Sequence, residues 1–209
     1  LRELSGDWKK YLVVALFLIL TIGFVSGMYV ANESMITSAN EGVTKYKQED
    51  GHFELKKQAD VTLLSAIETG EKADFKATKT TLYENFFRNE EEDYNNDGKK
   101  DGTIRVFAKT KDINLACMLQ GSFPQKADEI AIDRMHADNV GIKVGDTVTV
   151  SGETYKVVGL LAYVNYSTLH EKTTDLMFDA LKFDVAMVTQ DGFDRLHKSI
   201  HYTYAWKYE

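Results

Sequence analysis

The chain has 209 residues, a formal net charge of −7 at pH 7, 44% hydrophobic side chains and one cysteine, Cys117. That acidic balance excludes a nucleic-acid-binding surface, which needs a basic stripe. A single cysteine excludes an internal disulfide, so the folded part must stand on its hydrophobic core.

Tyr11 to Val30 is an unbroken run of twenty uncharged, mostly apolar residues, YLVVALFLILTIGFVSGMYV. As a helix rising about 1.5 Å per residue, it matches the roughly 30 Å hydrocarbon core of a bilayer. A cleavable signal peptide is the rival reading, and Val25-Ser26-Gly27 has the small residues of a cleavage site. Its apolar region, however, is normally only about 7–15 residues long. Arg2, Lys9 and Lys10 precede the run, and after it no Lys or Arg occurs before Lys45. Positive flanks stay inside, so residues 1–10 are expected to be cytoplasmic, 11–30 to span the membrane and 31–209 to lie outside. Gly23 and Gly27 form a GxxxG within the span, a spacing that lets another membrane helix approach closely.

Residues 31–50 read as a helical stalk. Ile36, Ala39, Val43 and Tyr46 recur at steps of three and four, opposite a polar face, up to a turn signal at Glu49-Asp50-Gly51. A separate surface helix fits this periodicity equally well.

From Gly51 the pattern becomes that of short strands: His52–Leu55, then Leu82–Phe87, Ile104–Lys109 and the Ile130/Ile132 pair. Val148/Val150 and Tyr155/Val157 flank a hairpin turned at Gly152, and Phe183, Val185 and Met187 alternate in a last clear strand. Asp60 to Glu68 (with Asp60 as N-cap), Met135 to Val140 and Gly192 to Lys198 read as short helices. The fold class is α+β, with residues 51–209 as one extracytoplasmic domain. The abrupt ends suggest a piece of a longer polypeptide.

Four motifs could carry chemistry. Asp93, Asn95, Asp97 and Asp101, with Gly98 at the sixth position, match the front of a calcium loop. The closing Glu is missing, because Ile104 stands at position twelve, and a solvated hairpin loop is preferred. His197 and His201 are four apart, but Lys198 stands where a zinc protease needs Glu. Cys117, in the apolar run Leu115–Leu119, reads as a buried structural thiol. Gly98-Lys99-Lys100 lacks the rest of a P-loop, and no G-x-S-x-G elbow occurs. No enzyme activity, cofactor or metal is expected of this chain.

The order of signals from Gln120 onward names a family. Gly121-Ser122-Phe123-Pro124 leads to Ala127-Asp128-Glu129-Ile130-Ala131-Ile132-Asp133, then Gly141-Ile142-Lys143-Val144-Gly145-Asp146-Thr147-Val148 and Tyr155-Lys156-Val157-Val158-Gly159. This progression resembles the extracytoplasmic MacB-like periplasmic core domain of FtsX-like ABC transporter permeases. Asp128 departs from it by standing where Asn is frequent. Physically the motifs are turn chemistry: Gly141 and Gly145 supply positive φ, and Asp146 can close its turn. The resemblance implies a permease subunit with a separate cytoplasmic ATPase, a lipid environment and a second permease copy or half as partners. The first helix and stalk would transmit ATP-driven motion to the outer domain. The alternative is a single-pass anchored sensor or ligand-binding domain that works without an ATPase.

Overall fold

The computed structural model describes residues 8–69, 80–172 and 174–208. The chain divides after Thr44 into two compact units. The first contains helix α1, Trp8–Thr44, 37 residues in length. No proline interrupts it, so the backbone ladder runs on unbroken beyond the apolar stretch. Side chains from Tyr11 to Val30 are exposed throughout, and the helix is long and apolar enough to cross a membrane. An added Cβ at Gly23 or Gly27 would meet no atom within 4 Å.

The helix ends at Thr44, short of the turn signal at Glu49-Asp50-Gly51. Beyond Thr44 the backbone is captured instead: Asn114 and Leu115 donate their N–H groups to the carbonyls of Lys47 and Tyr46, at 3.1 and 2.8 Å. Lys47 adopts positive φ, which ends the helical geometry. Tyr46 therefore lies outside the helix, and its hydroxyl donates to Cys117 Sγ at 2.9 Å. Cys117 is half-buried rather than fully buried.

Among the described residues the second unit carries ten strands in two sheets. Strands β1 (Gly51–Leu55), β2 (Thr80–Glu84) and β10 (Tyr202–Tyr208) form an antiparallel sheet with β10 in the centre. The other strands are β3 (Phe87–Asp93), β4 (Gly102–Ala108), β5 (Ala116–Gly121), β6 (Glu129–Asp133), β7 (Thr147–Val150), β8 (Glu153–Tyr163) and β9 (Phe183–Val188). Their neighbours run β8-β6-β9-β4-β3-β7, and β7 pairs back onto β8, closing a six-stranded barrel with β5 added outside β8. The short helices are α2 (Val61–Thr69), α3 (Arg134–Val140) and α4 (Gln190–Asp194). The molecule is thus a long apolar helix followed by a mixed α/β domain, as the sequence pattern indicates.

Period-two alternation sorts the core into an interior and an outer layer. Ile104, Val106, Ile130, Ile132, Val148, Val150, Tyr155, Val157, Ala186 and Val188 belong to one buried cluster inside the barrel. Phe107, Ala131, Leu161, Tyr163, Val185 and Met187 form a second against the outer face. Every residue of β9 is buried, because both of its faces are covered. In β8 the register shifts opposite Ile130 and Ala131. This bulge at Val158 lets both Val157 and Leu160 reach the interior cluster.

Local chemistry accounts for the turns. Ser151 and Gly152 both take positive φ, 48° and 88°, as a two-residue hairpin of right-handed strands requires. Gly141 and Gly145 have φ of 83° and 106°, and the Asp146 carboxylate accepts the Lys143 N–H at 2.8 Å. Asp60 accepts the Leu63 N–H at 2.7 Å and so caps α2. Two boundaries differ from expectation. The hairpin partner of β4 is Phe87–Asp93, not Leu82–Phe87, because Glu90 and Glu92 are accommodated inside the barrel while β2 joins the other sheet. The last short helix is Gln190–Asp194, started by Thr189, whose hydroxyl accepts the Gly192 N–H.

Candidate functional site

At one end of the barrel three chain segments place ionisable groups against each other. Glu92 comes from the end of β3, Asp184 from the start of β9, and His136 from the first turn of α3, which follows β6. Strands β6 and β9 are antiparallel, so the end of one meets the start of the other and α3 closes that end. The helix is held there by its cap: Asp133 accepts the N–H groups of Met135 and His136 at 2.7 and 3.4 Å. Asp133 in turn donates its own N–H to Asp184 Oδ1 at 3.2 Å.

Glu92, His136 and Asp184 are all fully buried, each with 0% exposure. One ligand atom from each lies within 4.8 Å of the others. His136 Nδ1 is 2.7 Å from the Ala180 carbonyl, so Nδ1 carries the proton and Nε2 turns towards the carboxylates. His136 Nε2 and Glu92 Oε1 are 3.4 Å apart. Both Glu92 oxygens, His136 Nε2 and Asp184 Oδ2 lack a hydrogen-bond partner among the described residues. The Tyr94 ring meets the imidazole edge-on at 5.8 Å.

The electrostatics are correspondingly strained. Burial disfavours the His136 cation, but Asp184 and Glu92 outweigh it and push its pKa up to about 9. Burial drives the Asp184 carboxyl well above its ordinary 3.8, against the pull of His136. Burial also raises Asp133, opposed by the two backbone N–H groups that it accepts. In this pocket an imidazolium balances only one ionised carboxylate, and isolated buried charge costs several kcal/mol, which is why burial favours the protonated form of Asp184.

A second feature is a surface cleft of about 530 Å³ lined by Glu49, His52, Arg105, Tyr166 and His201, among others. Arg105 organises it by donating to Asn89 Oδ1, Tyr166 Oη and the Glu171 carbonyl, each at 3.0 Å. Its guanidinium also stacks over Phe87 at 4.3 Å.

The motifs singled out in the sequence lie elsewhere. In the loop after β3 the carboxylates serve the loop's own backbone. Asp93 accepts from Asp97 and Gly98, Asn95 from Asp97, Asp97 from Lys99, and Asp101 from Tyr94. His197 is exposed and lies beyond α4. His201 stacks on Phe87, with centroids 4.6 Å apart, and sits 2.8 Å from Glu54 Oε1. The two histidines therefore share no helix face. Ile36, Ala39 and Val43 are exposed on α1. Sequence reasoning missed the buried trio, whose members are separated by more than forty residues; its one local signal was charged side chains inside alternating strand patterns.

No family model matches the chain, and no curated protein does either. Among solved structures it is similar to the periplasmic region of MacB from Actinobacillus actinomycetemcomitans, with a TM-score of 0.40 and 8% identity. That match covers 68% of this chain and 64% of the other, so the chain spans just under two thirds of that relative. It is also similar to the extracellular domain of the noncanonic ABC-type transporter YknZ from Gram-positive bacteria, with a TM-score of 0.39 and 13% identity. There the match covers 76% of this chain and 84% of the other.

Proposed function

We propose that this chain is the first span and extracytoplasmic domain of an ABC transporter permease subunit, transmitting ATP-driven motion to a substrate or partner outside the membrane. The observation that carries the reading is α1, a single helix from Trp8 to Thr44. Its first part is apolar enough to cross a membrane, and it continues about fourteen residues, or roughly 21 Å, past Val30. Exposed apolar side chains over such a length favour lipid over water at about 25 cal/mol per Å². The ordered turn motifs from Gly121 to Gly159 support the same family reading.

In this reading Lys9 and Lys10 keep the N-terminus inside, and residues from Lys45 onward lie outside. Gly23 and Gly27, open in the helix itself, receive another helix of the permease or its second copy. ATP hydrolysis belongs to a separate cytoplasmic ATPase.

Affinity purification of the protein from its native membranes, followed by mass spectrometry, tests this. Enrichment of an ABC ATPase, whose hydrolysis rate rises with the protein present, supports the permease. Capture of the intact, membrane-inserted protein with no ATPase sinks it in favour of an anchored sensor.

A further inference from the structure

We propose that Glu92, His136 and Asp184 form a structural binding site for one divalent transition-metal cation, with zinc the best fit, inside the barrel end closed by α3. Four donor atoms from these residues have no other partner among the described residues, and all three side chains are fully buried. Buried polar atoms are nearly always satisfied, so a group of orphans turned towards one point needs a specific occupant.

The spacing of the imidazole and the Glu92 carboxylate is compatible with a cation between them. A charge-assisted N–H···O bond closes to about 2.7–2.9 Å. The Nε2–Oε1 separation is 3.4 Å. Two ligands bound at about 2.0–2.1 Å to a tetrahedral zinc lie roughly 3.4 Å apart. The imidazole is also presented as metal-binding histidines are: Nδ1 donates to the Ala180 carbonyl at 2.7 Å, fixing the tautomer and leaving Nε2 free to coordinate.

Charge is compatible as well. With all three groups deprotonated for coordination, two carboxylates and a neutral imidazole sum to −2, which a divalent cation cancels. One nitrogen with carboxylate oxygens suits zinc and its neighbours rather than calcium, which takes six to eight oxygens. Glu92 can supply one oxygen or both, completing four donors from three residues. The site is buried, so its role is to staple β3, α3 and β9 together. This inference stands independently of the transport reading.

The test uses the full chain in detergent, stripped with a chelator and then dialysed against zinc chloride. Elemental analysis is expected to find about one zinc per chain, with less than a tenth of that in His136→Leu. Zinc should raise the melting temperature of the wild type by several degrees and leave that of His136→Leu unchanged. Cobalt(II), offered to the wild type alone, should give the visible absorption of a low-symmetry site, a readout that does not depend on the variant folding. Zinc retention by a folded His136→Leu chain would overturn the assignment. So would a wild type that keeps no metal and whose melting temperature ignores both chelator and zinc; the trio would then be a proton-sharing network.

Discussion

His52 Nδ1 sits 2.6 Å from Glu49 Oε1, while the other oxygen of Glu49 accepts from Asn114 at 2.5 Å. One carboxylate therefore ties the start of β1 to the loop before β5. The hydrogen bond to Glu49 raises the pKa of His52 above its ordinary 6.5, against partial burial and the nearby Arg105. Because the folded-state value is the higher one, the stabilisation is complete below pH 6.5 and is lost as pH rises through the folded pKa. The melting temperature should fall over that window in the wild type, and less so in His52→Gln. Since His52 is about half exposed, the effect should shrink in high salt. Identical pH profiles for the two proteins would contradict this.

Asp133 couples the cap of α3 to the barrel floor, accepting two N–H groups while donating its own to Asp184. Replacing it with alanine should cost about 1–2 kcal/mol in denaturant unfolding, the upper part of the usual capping range, because the position is buried. Asp133→Asn, which keeps an acceptor oxygen, should cost less. Equal losses would remove capping as the cause.

Two glycines with similar φ should respond very differently to alanine. At Gly152 (φ +88°) the added Cβ meets nothing within 4 Å, so only backbone strain applies, about 1–2 kcal/mol. At Gly121 (φ +78°) the Cβ would lie 2.2 Å from the Val158 carbonyl oxygen. Overpacking against the backbone there adds about 1–3 kcal/mol. Chemical denaturation should rank Gly121→Ala as clearly the more damaging. The clash falls where β8 bulges, so a shifted β5–β8 register is the expected structural consequence.

Local patterns carried much of this fold. Alternation at Val148/Val150 and Tyr155/Val157 fixed a hairpin, Asp60 marked a helix start, and Gly141 and Gly145 marked turns. Where tertiary context decided, the pattern misled. Glu90 and Glu92 look solvent-bound in sequence, yet Ser151 and Lys198 satisfy Glu90 inside the fold, and Glu92 faces His136. The true start of β3 at Phe87 was hidden for that reason. Closure of the barrel depends on the short β3–β7 pairing of Glu92 with Val150 and Asp93 with Thr149, which no local signal announces. The buried trio is non-local in the same way, whereas the apolar span was readable from length alone.

Calcium is expected to find no strong site in the loop after β3. Its candidate oxygens on Asp93, Asn95, Asp97 and Asp101 already accept N–H groups of the same loop. A cation would have to displace those bonds without a closing bidentate Glu. Millimolar calcium should leave the melting temperature unchanged, and Asp97→Ala should destabilise only slightly. Saturation at a hundred times the dissociation constant would add about 2.7 kcal/mol. A calcium-induced rise of several degrees that disappears in Asp97→Ala would overturn the prediction.

The proposed role of α1 as a connecting rod that transmits motion makes the most demanding prediction. Ser38 lies within the uninterrupted helix Trp8–Thr44, eight residues past Val30. A proline there removes the N–H that bonds back to the Ser34 carbonyl and drives its ring into the same turn, costing about 3 kcal/mol or more. If force passes along the helix, continuity at this point matters more than any one exposed side chain. Ser38→Pro should therefore abolish transport in the assembled complex, while Ser38→Ala, a better helix former, should be nearly silent. The ATPase should co-purify with both variants, because its contacts are expected on the cytoplasmic side. Protease accessibility and the unchanged melting temperature of the outer domain would establish that the proline variant is inserted and folded. Normal transport by that protein would end the connecting-rod model while leaving the permease reading intact.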